Sequence, residues 1–353
     1  MTADSLTARL AALPRMRLAA LPTPLDEAAR LRDALGGPSR CPRILVKRDD
    51  LSGLGLGGNK ARKLEFLLGH ALADGATAVI TTGAVQSNHA RMTAAAACRC
   101  GLDAHLVLTA HRDDPIDEGN LLLDRLFGAR VSFVPAVDPM LAVGHDEAVV
   151  ADVAARIRAG GGRPYVIPVG GSSSVGALGY VAGTLELAEQ LDALGARPSR
   201  LYFASGSRGT QAGLTLGAHL LHASYRLYGV AVSAGEPEKV ERARRVALDA
   251  AQLLDAGDSV TAAEYFTDQH FIGDGYGIPS PEALDALVLA ARTEALVLDP
   301  TYTSKAMAAL VCHVRLGEVP ADETVVFLHT GGSPAVFTEA ARERLAATTG
   351  WQF

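Results

Sequence analysis

Aromatic side chains are scarce in this chain, at 5% of 353 residues, while glycine is abundant at 36. Small residues in that proportion suit close packing of helices on sheets. A basic excess is also missing: Lys and Arg number 33 against 39 Asp and Glu, for a net charge of −6. No nucleic-acid partner is therefore expected, since such binders carry a basic face. Cysteine occurs four times, at Cys41, Cys98, Cys100 and Cys312. Cys98 and Cys100 have no second pair to face, so zinc-type spacings are absent and no metal site is expected. No run approaches the ~18 apolar residues of a membrane helix, and the N-terminus lacks the apolar core of a signal peptide. These absences leave a cytoplasmic protein without a membrane partner as the expectation. The length leaves ample core for one large or two medium domains.

What is present is an alternation. Short apolar runs such as Arg43–Lys47, Ala78–Thr82, Ala104–Leu108, Leu201–Ala204 and Thr324–Leu328 read as strands. Between the apolar runs of the chain lie helical patterns, among them Ala61–Asp74, Asn88–Arg99, Gly176–Leu194, Gln211–His222, Ser304–Leu316 and Pro334–Leu345. This alternation predicts an α/β fold with parallel sheets covered by helices. Glycine clusters at 53–58 and 160–171 mark the best hinges. They suggest a smaller α/β domain over residues 61–170, inserted in a larger one formed by 1–60 and 171–353.

Ligands of open α/β sheets sit beyond the C-terminal ends of strands, which directs attention to the segments that follow strands. Gly53–Lys60 (GLGLGGNK) resembles a phosphate loop but fails its spacing, because Asn59 intervenes before Lys60 and Ala61 replaces the metal-binding hydroxyl. Ser207, Arg208, Gly209 and Thr210 follow a strand and open a helix, a natural phosphate site. They lack the full dinucleotide glycine pattern, so a phosphate monoester fits better. Ser87, Asn88 and His89 likewise open a helix, where Ser87 or Asn88 is a capping candidate. Thr330, in His329–Ser333, is placed to hydrogen-bond a ring nitrogen, and Tyr276 and Tyr302 are acid–base candidates. A lysine in a glycine-lined pocket, a phosphate-binding helix end and a ring-nitrogen partner together describe pyridoxal 5′-phosphate (PLP).

The motifs GGNKARKLEF, QSNHAR and GTQAGL, in that order, resemble the D-cysteine desulfhydrase / 1-aminocyclopropane-1-carboxylate (ACC) deaminase family of PLP enzymes. The resemblance spans Leu21 to Gly332. It implies PLP fold type II (tryptophan synthase β-like), with two parallel-sheet α/β domains and the cofactor between them, and a homodimer. It implies that Lys60 carries PLP and that Asn88 contacts the ring hydroxyl. Ser207, Arg208, Gly209 and Thr210 would hold the phosphate, and Thr330 would meet the pyridine nitrogen. Ser87 and His89 would face a substrate carboxylate, with Tyr276 and Tyr302 flanking the substrate. Ser87, Tyr276 and Tyr302 join Lys60 as catalytic candidates.

The deaminases carry an acidic residue directly after the second tyrosine. Here that position is Thr303, which with Thr330 favours elimination over ring opening and makes Thr303 a substrate-side candidate. The expected reaction is α,β-elimination on a small amino acid, foremost D-cysteine. ACC deamination and L-cysteate desulfonation are the alternatives, and a PLP-binding protein without catalysis is the reading from a different class. Arg208 departs from the small residues usual in the phosphate loop.

Overall fold

The computed structural model describes residues 1–111, 115–136, 146–235, 237–257 and 265–350. Ten strands occur among them: β1 (Leu25–Glu27), β2 (Arg43–Lys47), β3 (Ala78–Ala84), β4 (Asp103–Ala110), β5 (Arg130–Pro135), β6 (Pro164–Ile167), β7 (Arg200–Ser205), β8 (Arg226–Ala231), β9 (Thr267–Asp268) and β10 (Thr324–Leu328). They form two sheets. The six-stranded sheet has the order β1-β2-β10-β7-β8-β9 and is parallel apart from its antiparallel edge strand β1. The four-stranded sheet, β5-β4-β3-β6, is parallel throughout.

Successive strand residues point to opposite faces, and both sheets use the alternation to bury two helical layers. In the larger sheet Ile44, Val46, Tyr202, Val230 and Phe327 share a core with helices α10 (Pro281–Glu294) and α11 (Thr303–Arg315). Their neighbours Leu45, Leu201, Phe203, Val326 and Leu328 face α7 (Ser174–Ala193) and α8 (Gly209–Leu220). In the smaller sheet Val79, Leu106 and Leu108 pack against α3 (Lys60–Ala73) and α4 (Asn88–Cys100), while Ile80, Val107 and Val134 pack against α6 (Glu147–Ala159). Helix α3 serves both bodies: Leu64 and Leu67 join the smaller core, and Phe66 joins α7 and α8. The contact with α7 is close enough to require glycine, since a Cβ on Gly179 would stand 2.3 Å from the Arg62 carbonyl oxygen.

The structure departs from expectation at short or interrupted elements. The helix expected over 334–345 is a 3₁₀ turn, Ser333–Phe337, followed by α12 (Glu339–Thr349). Thr338 breaks it by turning extended and capping Ala341 N–H. The sequence pass also overlooked β1, β9, α1 (Ala3–Ala11) and α2 (Ala29–Ala34).

The start of α3 is anchored by buried charge. Arg62 Nε and Nη2 donate to Asp49 at 2.9 and 2.8 Å, and Nη1 and Nη2 donate to Glu186 of α7 at 3.0 and 2.7 Å. Thr23 and Tyr180 hydroxyls complete the Asp49 shell at 2.8 and 2.6 Å. Burial pushes the Asp49 carboxyl up, but the Arg62 guanidinium more than offsets this and holds it below its ordinary value. Removing one partner of a buried pair strands the other charge. Asp49→Ala should therefore cost about 3–5 kcal/mol in urea unfolding; a loss below about 1 kcal/mol, the range of surface pairs, would contradict the anchoring role.

Candidate active site

One cleft opens where the C-terminal ends of strands from both sheets converge. Lys60, Ser87, Asn88, His89, Ser207, Arg208, Thr210, Tyr276, Tyr302 and Thr330 all line it. The helices α3, α4 and α8 begin there, so their positive ends point at a shared space.

Lys60 is the first residue of α3. Its Nζ donates to Asn59 Oδ1 at 3.2 Å, and Asn59 Nδ2 donates to Thr210 Oγ1 at 3.1 Å. Burial lowers the Lys60 pKa to about 8, with Asp299 opposing and Arg91 adding to the shift. Its amine is thus readily neutral, as a nucleophile must be.

The turn after β7 forms the second wall. Arg208 adopts a left-handed φ of 69° and caps α8 without a side-chain hydrogen bond. Its guanidinium is buried and turns toward Ser205 O, Gln211 Oε1 and Thr267 Oγ1, at 3.3–3.4 Å, so the backbone is what it offers at the helix end. Gly209 sits behind the cleft wall, its N–H donating to Ser172 Oγ at 3.2 Å. Ser172 Oγ in turn donates to Ser207 Oγ at 2.8 Å.

The third wall is the tyrosine pair. The Tyr276 and Tyr302 hydroxyls hydrogen-bond each other, their rings 5.8 Å apart and nearly perpendicular. Burial raises Tyr276 to about 12, and burial together with Tyr276 raises Tyr302 well above its ordinary value, so both stay protonated near neutrality. Lys305, a turn beyond Tyr302 on α11, tethers the loop that carries Tyr276 by donating to Ile272 O and Gly275 O at 2.6 and 2.9 Å.

Two expected residues behave differently. Thr303 does not line the cleft and is fully buried. Its hydroxyl donates to Asp299 Oδ1 and accepts the Asp299 N–H, both at 2.7 Å, which consumes its capacity to meet a substrate. His89 lines the cleft, but its ring is committed elsewhere. Thr81 donates its hydroxyl to Ile167 O at 2.8 Å, so it must accept from His89 Nε2–H at 2.9 Å. Burial, with Lys60 and Lys63 nearby, keeps the ring neutral. The imidazole therefore has no N–H left for a carboxylate. Ser87, which caps α4 by accepting from Ala90 N–H at 3.2 Å, keeps its own proton free to donate.

Sequence reasoning overlooked Asn59, Ser172 and Lys63. Lys63 lies one turn after Lys60, and that i, i+3 spacing was the available signal. Its Nζ is buried, donates to Gly170 O at 2.9 Å, and is pushed well below its ordinary pKa by burial and by Lys60. A Cβ on Gly209 would come within 2.7 Å of this amine and 2.6 Å of Ser172 Oγ. The missing side chain lets both groups reach the start of α8.

Comparison with known proteins gives the family. A family model described as pyridoxal-phosphate dependent enzyme matches residues 16–331. The D-cysteine desulfhydrase of Serratia proteamaculans is 40% identical over 345 residues, covering 94% of this chain and 98% of the relative. That of Salmonella newport is 40% identical over 333 residues, covering 93% and 97%. A crystal structure described as an ACC deaminase homologue has a TM-score of 0.87 at 36% identity, covering 99% of this chain and 100% of the other. Threonine deaminase isoform 2 from Solanum lycopersicum, at TM-score 0.67, 16% identity and coverage of 99% and 94%, shares the fold alone. The chain belongs to the PLP-dependent enzymes and, within them, to the D-cysteine desulfhydrase / ACC deaminase family.

The residues fit that cofactor. The start of α8, the Ser207 hydroxyl and the buried Lys63 amine suit a phosphate dianion, and Lys60 is a low-pKa amine lining the same cleft. Only the neutral amine attacks an aldehyde. Capture of PLP by cofactor-free protein, followed by visible absorbance, should quicken as pH rises through about 8 and then level off. A rate still climbing toward the ordinary lysine value of about 10.4 would contradict the buried-amine assignment.

Proposed function

We propose that this chain is a PLP-dependent lyase that carries out α,β-elimination on D-cysteine, giving sulfide, pyruvate and ammonia. The observation that carries the reading is the near full-length similarity to D-cysteine desulfhydrases, at 40% identity. The site supports it by lining one cleft with an amine of lowered pKa and two protonated phenols.

Bound PLP supplies the electron sink for proton removal at the α-carbon. With the cofactor bound, the Lys60 amine would accept that proton. The positive end of α4 and the Ser87 hydroxyl hold the substrate carboxylate. The Cβ–S bond breaks with its electron pair on sulfur, and the Tyr276–Tyr302 pair delivers the proton that accompanies the leaving sulfide. The released aminoacrylate hydrolyses to pyruvate and ammonia. Asn88 would contact the cofactor ring, Thr330 would meet its nitrogen, and Ser207, Thr210 and the Arg208 backbone, with Gly209 and Lys63 behind them, would hold the phosphate. We also infer a cytoplasmic homodimer, with residues 61–170 as the smaller domain and 1–60 with 171–353 as the larger.

ACC deamination is the second reading, favoured by the similarity to the ACC deaminase homologue. The products separate the readings. Purified, PLP-loaded protein should release sulfide and pyruvate in equal amounts from D-cysteine, well above the L-cysteine rate. 2-Oxobutyrate from ACC, or sulfite from L-cysteate, without turnover of D-cysteine would overturn the proposal in favour of the corresponding alternative.

A further inference from the structure

Asn120 is the second residue of α5 (Gly119–Leu126), is fully buried, and takes part in no step above. The orientation of its amide is fixed at both ends. Oδ1 accepts from Arg91 Nε at 3.0 Å, and a guanidinium can only donate. Nδ2 donates to the Gln86 carbonyl at 2.9 Å, and a carbonyl can only accept. Rotating the amide by 180° would set donor against donor and acceptor against acceptor. The same Nδ2 also donates to Asn88 Oδ1 at 3.0 Å.

The consequence passes to the cleft. With its Oδ1 held by Asn120, Asn88 has only its NH₂ group left for the cleft it lines. The surroundings keep Asn120 in place. Asn120 N–H donates to Gln86 Oε1 at 2.8 Å, and Gln86 Nε2 donates to Glu118 O at 3.0 Å. Arg91 extends the network to the turn before Lys60, where its Nη1 donates to the carbonyls of Gly55 and, at 3.0 Å, Gly57. One buried cluster thus links the residue facing the cofactor ring with the loop that leads into the cofactor lysine.

We propose that Asn120 is a positioning residue that sets the polarity of Asn88, so that a hydrogen-bond donor and not an acceptor meets the ring oxygen of bound PLP. This rests on the reading of Asn88 as a cofactor contact. A donor there stabilises the ionised ring oxygen. An acceptor there would repel it, weaken the cofactor and alter its absorbance.

Asn120→Asp tests the idea with almost no change in shape. The new oxygen would face both Asn88 Oδ1 and the Gln86 carbonyl; the Gln86 conflict persists, while the one with Asn88 is relieved when Asn88 turns its carbonyl to the cleft. The expected result is roughly tenfold weaker PLP affinity in a fluorescence titration, the scale of one lost hydrogen bond that leaves an unmatched partner. A displaced visible absorption band should accompany it. Because the effect runs through Asn88, Asn120→Asp should add little when placed on Asn88→Ala. Affinity and spectrum unchanged in Asn120→Asp would overturn the proposal. So would an equal further loss on the Asn88→Ala background, which marks a general packing effect. If Asn120→Asp does not fold, Asn120→Ala replaces it, with a smaller loss in the same direction expected and unchanged affinity overturning the idea. These readouts need only bound PLP, so failure to turn over D-cysteine would be distinguishable from failure here.

Discussion

The fork of Arg62 on Asp49 and Glu186 fixes the helix on which the site depends. Helix residues advance by ~100° each, so Arg62 projects roughly opposite to Lys60. Its guanidinium ties α3 to α7 and to the turn after β2, while Gly58 N–H donates to Asp49 O at 3.1 Å just before the helix begins. The back of the helix is thereby held by charge and its front is presented to the cleft. Buried ion pairs add little net stability against an apolar substitute, but they are strict about geometry. Strict geometry is what a lysine needs if its amine is to meet a cofactor at a fixed place.

Electrostatics then decides what the cleft holds. Three helix starts and the Lys60 amine direct positive potential inward, and among the described residues no carboxylate lines the space. A phosphate dianion at the start of α8 would answer that potential. The same crowding lowers the pKa of Lys63, as burial lowers that of Lys60, so the features that attract the phosphate also prepare the amines. On the opposite side, burial keeps the tyrosines protonated. One cleft therefore offers a ready proton acceptor and ready proton donors at the same pH.

Much of this was legible in the sequence because it is local. Strand and helix alternate with clear periods, and the residues that line the cleft follow strands directly. Ser87 reads as a cap and is one. What was not legible depends on which partner each side chain meets in the folded chain. Thr303 reads as substrate-facing until Asp299, four residues earlier, turns back to bind it. His89 reads as a donor until Thr81, whose own hydroxyl donates to Ile167 O, accepts its N–H. Asn120 carries no motif, and its role appears only when α5 is placed beside α4. The overlooked β1 and β9 have three and two residues, too short to show a period.

The central claim is that Lys60, and not its buried neighbour Lys63, carries the cofactor. Reducing the PLP-loaded protein with borohydride fixes the cofactor to its lysine, and peptide mapping by mass spectrometry then locates it. The account predicts the added mass on Lys60 alone. Its appearance on Lys63, or on neither lysine, would contradict the account.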